Sequence, residues 1–133
     1  MGQSSQSVIN NSMQIVPLLS FLDQLKIYHW QTRSYAEHKA LGKAYDAISG
    51  LTDTLVETYL GKYGKLFVNK EYSFSIESYT EGMDVKKAII TRKLTLMNYL
   101  RNDLLSDNDK DLLNIVDSIE VEINHLQYLL DLK

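Results

Sequence analysis

Leu66-Phe67-Val68-Asn69-Lys70-Glu71-Tyr72-Ser73-Phe74-Ser75-Ile76-Glu77-Ser78-Tyr79-Thr80-Glu81 decides how this chain folds. Within it Tyr72, Phe74 and Ile76 alternate with small or charged residues, a period of two that indicates extended chain. On both sides the apolar residues recur at spacings of three and four, the period of amphipathic helices. The helix before the stretch is about 28 residues long and spans roughly 42 Å. A link of about 15 extended residues reaches about 50 Å, enough to travel back along that whole helix. The stretch therefore joins two helices that run the same way, which a bundle of short hairpins never requires.

Upstream, a helix over 35–65 carries the stripe Leu41, Tyr45, Ile48, Leu55 and Tyr59, with Gly42 and Gly50 permitting close approach of a neighbour. Ser34-Tyr35-Ala36-Glu37 has the capping-box form that starts it. Before that, Ile15, Leu18, Leu19, Leu22 and Leu25 mark a helix over 13–33, with Pro17 near its beginning, where a missing N–H costs little. Extending this stripe leads to His29, which therefore points toward packed surface. Downstream, Ser78-Tyr79-Thr80-Glu81 is a second capping-box candidate. A helix over 82–105 follows with Val85, Ala88, Ile89, Leu96, Met97 and Leu100. Past the polar turn Ser106 to Asp109, a helix over 107–132 repeats Leu112, Val116, Ile119, Ile123, Leu126 and Leu130 at alternating spacings of four and three, a bundle seam. Residues 1–12 read as a polar tail. The expected fold is all-α: one domain over 13–133, a ferritin-like four-helix bundle with a long extended crossover between the second and third helices.

Composition narrows the function classes. The 133 residues include one proline and no cysteine, which excludes disulfides, thiolate metal sites and cysteine nucleophiles and points to the cytoplasm. The start lacks the basic residues and apolar run of a signal peptide, and no run approaches the ~20 apolar residues that span a bilayer, so no membrane partner is expected. Net charge is -3 with the 14 basic residues scattered, so no nucleic-acid footprint is visible. Lys62, Lys65 and Lys70 cluster at a helix end, where cations complement the dipole, and this reading outweighs phosphate binding.

A dimetal site inside one bundle draws carboxylates from two helices and a Glu-x-x-His pair from each of the others. This chain cannot supply it: the only such pair is Glu122-Ile123-Asn124-His125, and the matching acids are missing, so that pair reads as surface. The other constellation is His29 and Trp30, then His38, then Asp46, Asp53 and Glu57. The three acids fall within roughly a 40° arc of one helix. Like charges so placed must be solvated, paired or bridged by a metal, and imidazole with carboxylate suits iron(II), manganese or zinc. The bland readings are a solvated acidic face, a hydrogen-bonded core histidine and a packing tryptophan.

Phe21-Leu22-Asp23-Gln24-Leu25-Lys26-Ile27-Tyr28-His29-Trp30, followed by His38 and then by Asp53-Thr54-Leu55-Val56-Glu57, resembles the Dps family, the mini-ferritins. The likeness covers residues 15–60 well and 122–130 faintly. It implies a ferroxidase site lying between two subunits, with His29 and His38 as metal ligands from one chain and Asp53 and Glu57 from its two-fold mate. The implied chemistry is iron(II) oxidation by peroxide or oxygen, with Trp30 near the metal as electron donor and the ferric product stored. It further implies a homo-oligomer, a two-fold dimer at least, with a hollow dodecamer the usual assembly of the family. The lysine-rich tail with which some members coat DNA is absent, so no DNA binding is expected.

The chain departs from that pattern in three places. The segment between His29 and His38 is shorter, Gly42 stands where an aspartate is common, and extended chain replaces a short crossover helix. The run from His29 to Gly42 is also similar to small ferritin-like proteins of bacteriophages. That likeness implies a non-catalytic subunit of a larger assembly, such as a virion ring or neck, with other virion proteins as partners.

Overall fold

The computed structural model describes residues 13–66 and 69–132, so the tail read over 1–12 lies outside the described residues. Among these the chain is all-α, with no strand: α1 is Val16–Gln31, α2 Tyr35–Tyr63, α3 Val85–Asn98 and α4 Lys110–Asp131. Among the described residues no helix is long and apolar enough to cross a membrane.

Local chemistry sets the ends. Pro17 lies in the first turn of α1, where its fixed φ suits a helix start. Ser34 caps α2 as expected, its Oγ accepting the Glu37 N–H at 3.2 Å. Gly64, at φ 83°, closes α2 in the left-handed region that glycine enters without strain. The second capping box is not used. The cap of α3 is Asp84, whose side chain accepts the Lys87 N–H at 3.1 Å, so the helix begins at Val85 instead of residue 82. Beyond Asn98 the helix continues as a six-residue π-helical turn, Tyr99–Leu104, which the Leu105 N–H closes on the Leu100 carbonyl at 3.1 Å.

The core gathers one stripe from each helix. All six seam residues of α4 are buried, as are Leu18, Leu22 and Leu25 of α1, Leu41, Ile48 and Leu55 of α2, and Val85, Ile89, Leu96 and Leu100 of α3. Each such side chain contributes roughly 1.5–3 kcal/mol by leaving water. The helices pack as a bundle in which α2 lies against α1 and α4, and α3 against α1 and α4. At one end Lys62 and Tyr63 of α2 meet Asp109 at the start of α4, and at the other Lys86 of α3 meets Asp131 at the end of α4.

Between α2 and α3 the described chain from residue 69 lies alongside α1. Ser20 Oγ donates to the Ser75 carbonyl at 3.5 Å, and buried Gln24 grips Glu77 twice, Nε2 to its carbonyl at 2.8 Å and Oε1 from its N–H at 2.7 Å. The Tyr79 N–H then reaches Gln31 Oε1. Four residues from Ser75 to Tyr79 thus keep pace with eleven of α1, about 14 Å of extended chain against about 16 Å of helix. The segment is extended and runs in the direction of α1. Phe74 and Ile76 on it are exposed.

Asp109 fastens the opposite end of the bundle. It is 2% exposed, lies 2.7 Å from Lys62 Nζ, and accepts the Tyr63 hydroxyl and the Ser106 N–H, the last at 2.9 Å. Lys62 is therefore an ion-pair partner, in keeping with the structural reading of the lysine cluster. Most other ion pairs tie α3 to α4: Lys86 to Asp131 at 2.7 Å, Lys93 to Glu120 at 3.5 Å, and Arg101 to Asp117 and Glu120 at 2.7 Å each.

Candidate functional site

The turn from α1 to α2 brings His29 and His38 together. Their rings stack with centroids 3.9 Å apart and planes 15° from parallel. The pair is reciprocal: His29 Nδ1 lies 2.7 Å from the His38 carbonyl oxygen, and His38 Nδ1 lies 2.8 Å from the His29 carbonyl oxygen. A carbonyl oxygen only accepts, so each Nδ1 carries a proton and donates it. In the neutral ring Nε2 then keeps a bare lone pair, the arrangement in which backbone carbonyls hold metal-binding histidines.

Neighbouring residues hold this corner in place. Glu37 is 1% exposed, and its carboxylate accepts the Thr32 hydroxyl at 2.6 Å and the Tyr79 hydroxyl at 3.2 Å. Thr32 Oγ1 in turn accepts the Ser34 N–H at 3.1 Å. The capping box thus binds three segments, because Glu37 also reaches the link before α3. Gly42 faces the His29 ring so closely that an added Cβ would stand 2.8 Å from Cε1 and 3.1 Å from Nδ1. The neighbour that Gly42 admits is this imidazole, whereas nothing lies within 4 Å of the corresponding point on Gly50.

Gly42→Ala is therefore expected to push the His29 ring out of its bond to the His38 carbonyl. The better helix propensity of alanine offsets about 1 kcal/mol of the clash, so the melting temperature moves little while the histidine geometry changes. Nitrogen chemical shifts of the two imidazoles check this: unchanged Nδ1–H tautomers in the variant would contradict it.

His29, His38, Gly42, Lys43, Asp46 and Leu129 are among the residues that line a cleft of about 610 Å³ between α2 and the end of α4. Asp46, Asp53 and Glu57 lie exposed on the outer face of α2, and none forms an ion pair with a described residue. Asp53 stands fifteen residues beyond His38, about 22 Å along the helix axis. The structure therefore unites the two histidines and keeps the two carboxylates apart from them within one chain. Among the described residues no three histidine, aspartate or glutamate side chains form a metal-binding group.

Trp30 is 65% exposed, with Lys26 Nζ 5.8 Å from its ring and 4.2 Å from that of Tyr45. His125 is exposed with Tyr128 beside it, which agrees with a surface role for Glu122 and His125. Glu37 and Thr32 were not recognisable as parts of the site from sequence. The one local signal was the capping box itself, which gives the Ser34 bond and not the bond to Tyr79.

No curated protein and no solved structure matches this chain. One family model matches it over residues 29–130, a span that opens at His29 and includes His38, Asp53 and Glu57. The chain belongs to the family of unknown function DUF5856.

Proposed function

We propose that this protein is a ferritin-like, iron-binding subunit that takes iron(II) as substrate at a site shared between two copies, as in the mini-ferritins. The observation that carries the reading is the reciprocal histidine pair, in which both Nδ1 protons are spent on backbone carbonyls and both Nε2 lone pairs remain for a cation. Asp53 and Glu57, without an ion-pair partner among the described residues, supply the hard oxygen donors, and two imidazoles with two carboxylates suit iron(II), zinc or manganese. Because about 22 Å of helix separates the two sets, only a second copy can complete the site. The link that runs beside α1 supports the ferritin-like topology, since it lets α2 and α3 run in the same direction.

In this reading His29 and His38 bind and orient the ion, Gly42 leaves room for His29, and the carboxylates balance its charge. Oxidation by peroxide or oxygen would draw on Trp30 as electron donor only if assembly covers that ring. Asp53→Ala should weaken iron(II) binding by about 100-fold or more while the oligomer persists. Iron(II) titration with the assembled mass measured on the same sample tests this, and normal iron oxidation by the variant would sink the reading.

A second reading is a non-catalytic subunit of a larger assembly, such as a virion ring. The exposure of Trp30, Tyr35, Val121, Tyr128 and Leu132 favours it, because apolar residues of this size on a small bundle suit burial against neighbours. Stoichiometric metal that is lost on mutating His29 would decide against it.

A further inference from the structure

The outer face of α2 carries Lys39, Lys43, Asp46, Gly50, Asp53 and Glu57, at successive spacings of four and three. All six are exposed, and at 100° per residue they occupy an arc of roughly 80° directly opposite buried Ile48. Such an arc is ordinarily a solvated face, and three features set this one apart. Most charges on α3 and α4 pair within the chain, whereas none of these five charged residues has an ion-pair partner among the described residues. Lys39 with Lys43, and Asp53 with Glu57, put like charges one turn apart, which weakens an isolated helix. The bases lie toward the N-terminus and the acids toward the C-terminus, against the helix dipole.

The sequence along the arc is also its own complement. Reversed about residue 48, Lys39 falls on Glu57, Lys43 on Asp53 and Asp46 on Gly50. Residue 48 lies within one position of the middle of α2, so the reversal uses almost the whole helix. An antiparallel copy of α2 laid on this face would therefore set each lysine level with an acid, and the two-fold operation makes every such pairing occur twice. The single uncharged position is a glycine with open space around it, level with the one acid that lacks a lysine.

We infer that the outer face of α2 is the surface by which two copies of this chain pair, antiparallel and centred on Ile48. Lys39 is then level with the partner's Glu57, and Lys43 with the partner's Asp53. The contact selects its register by charge, because sliding one helix by a four-residue turn keeps only one of the two lysine–acid pairings, Lys43 with the partner's Glu57 in one direction or Lys39 with the partner's Asp53 in the other. This seam stands without the metal reading, although that reading needs a contact of this kind. In the same arrangement the partner's Asp53 and the partner's Glu57 arrive at the level of His38 and Gly42.

Sedimentation velocity at low and high ionic strength tests the inference on the full chain and on exposed-site variants whose helical circular dichroism is unchanged. The unaltered chain should sediment as a dimer or an even-numbered assembly that salt weakens. Lys39→Glu and Glu57→Lys should each raise the dissociation constant by at least about 10-fold, since each sets two pairs of like charges together. The combined Lys39→Glu and Glu57→Lys variant should recover the original association. A monomeric parent, single variants that associate as the parent does, or a combined variant no better than the singles would each overturn the seam. Iron(II) titration of the same samples separates the two readings. A recovered dimer that binds iron(II) as the parent does removes Glu57 as a ligand and leaves the seam intact, whereas a parent that binds iron(II) through Asp53 while the swap fails removes the seam alone.

Discussion

Asp109→Ala should be among the most damaging single changes outside the apolar core, lowering stability by about 3 kcal/mol, or roughly 10 °C in melting temperature for a domain of this size. The carboxylate joins Lys62 and Tyr63 at the end of α2 to Ser106 before α4, and it is almost fully buried. Removing it takes the charged acceptor from the Tyr63 hydroxyl and the Ser106 N–H; both residues are exposed and these donors can turn to water, so the loss is that of the charge-assisted bonds themselves, roughly 1.5–3 kcal/mol each at most. Lys62 is one-third exposed and can return to water, which keeps the loss below that of a fully enclosed pair. Thermal and urea unfolding of the variant beside Lys62→Ala checks this. Equal losses in the two would show that the ion pair alone matters and that the hub does not.

The same carboxylate sets an acid limit. Burial raises its pKa, but bonds from Lys62, Tyr63 and Ser106 outweigh burial and hold it at about 2, below the ordinary 3.8. A depressed folded-state pKa contributes stability that is full above the unfolded value and is lost as pH falls through the folded one. The window is therefore pH 3.8 down to about 2. The parent should lose roughly 2 kcal/mol across it that Asp109→Asn does not lose.

Gln24→Ala should cost about 2–4 kcal/mol, from two hydrogen bonds and a packed side chain removed together. Gln24 is fully buried in α1, and its amide satisfies both backbone groups of Glu77 as a neighbouring strand would. Without it the link before α3 loses its central attachment to the bundle. Hydrogen exchange at the Glu77 amide reports this directly, and protection there equal to the parent's would refute the assignment. Gln24→Glu makes a sharper comparison: it keeps an acceptor for the Glu77 N–H and removes the donor to the carbonyl.

These two anchors show where sequence reading stops. The α4 seam was legible because Leu112 to Leu130 repeats at helical spacing, and a buried stripe needs no knowledge of its partner. The extended link was legible because alternation in Tyr72, Phe74 and Ile76 breaks that period, and the Ser34 cap because its bond spans three residues. Gln24 and Glu37 were not legible as anchors. Their partners lie 53 and 42 residues away, so no local pattern marks them. Ser78 to Glu81 imitated a cap, yet Gly82 at φ 80° turns the chain out of a helix and the Tyr79 N–H is already taken by Gln31, so α3 waits for Asp84. Asp109 looked like one polar residue of a turn. The direction of His29 toward packed surface was correct, but its pairing with His38 depends on how tightly the α1–α2 turn closes.

The turn at Tyr99–Leu104 gives the end of α3 a property that the rest of the bundle lacks. It winds more residues into each revolution than its neighbours do, so that short piece of rod stores slack. Leu100 and Leu105 both face inward across it. Elsewhere, dropping one residue would swing every later side chain around by about 100° and scramble the interior. Here a shortened chain could wind back to the tighter pitch, so this is where a lineage could trim the rod without disturbing what lies beyond.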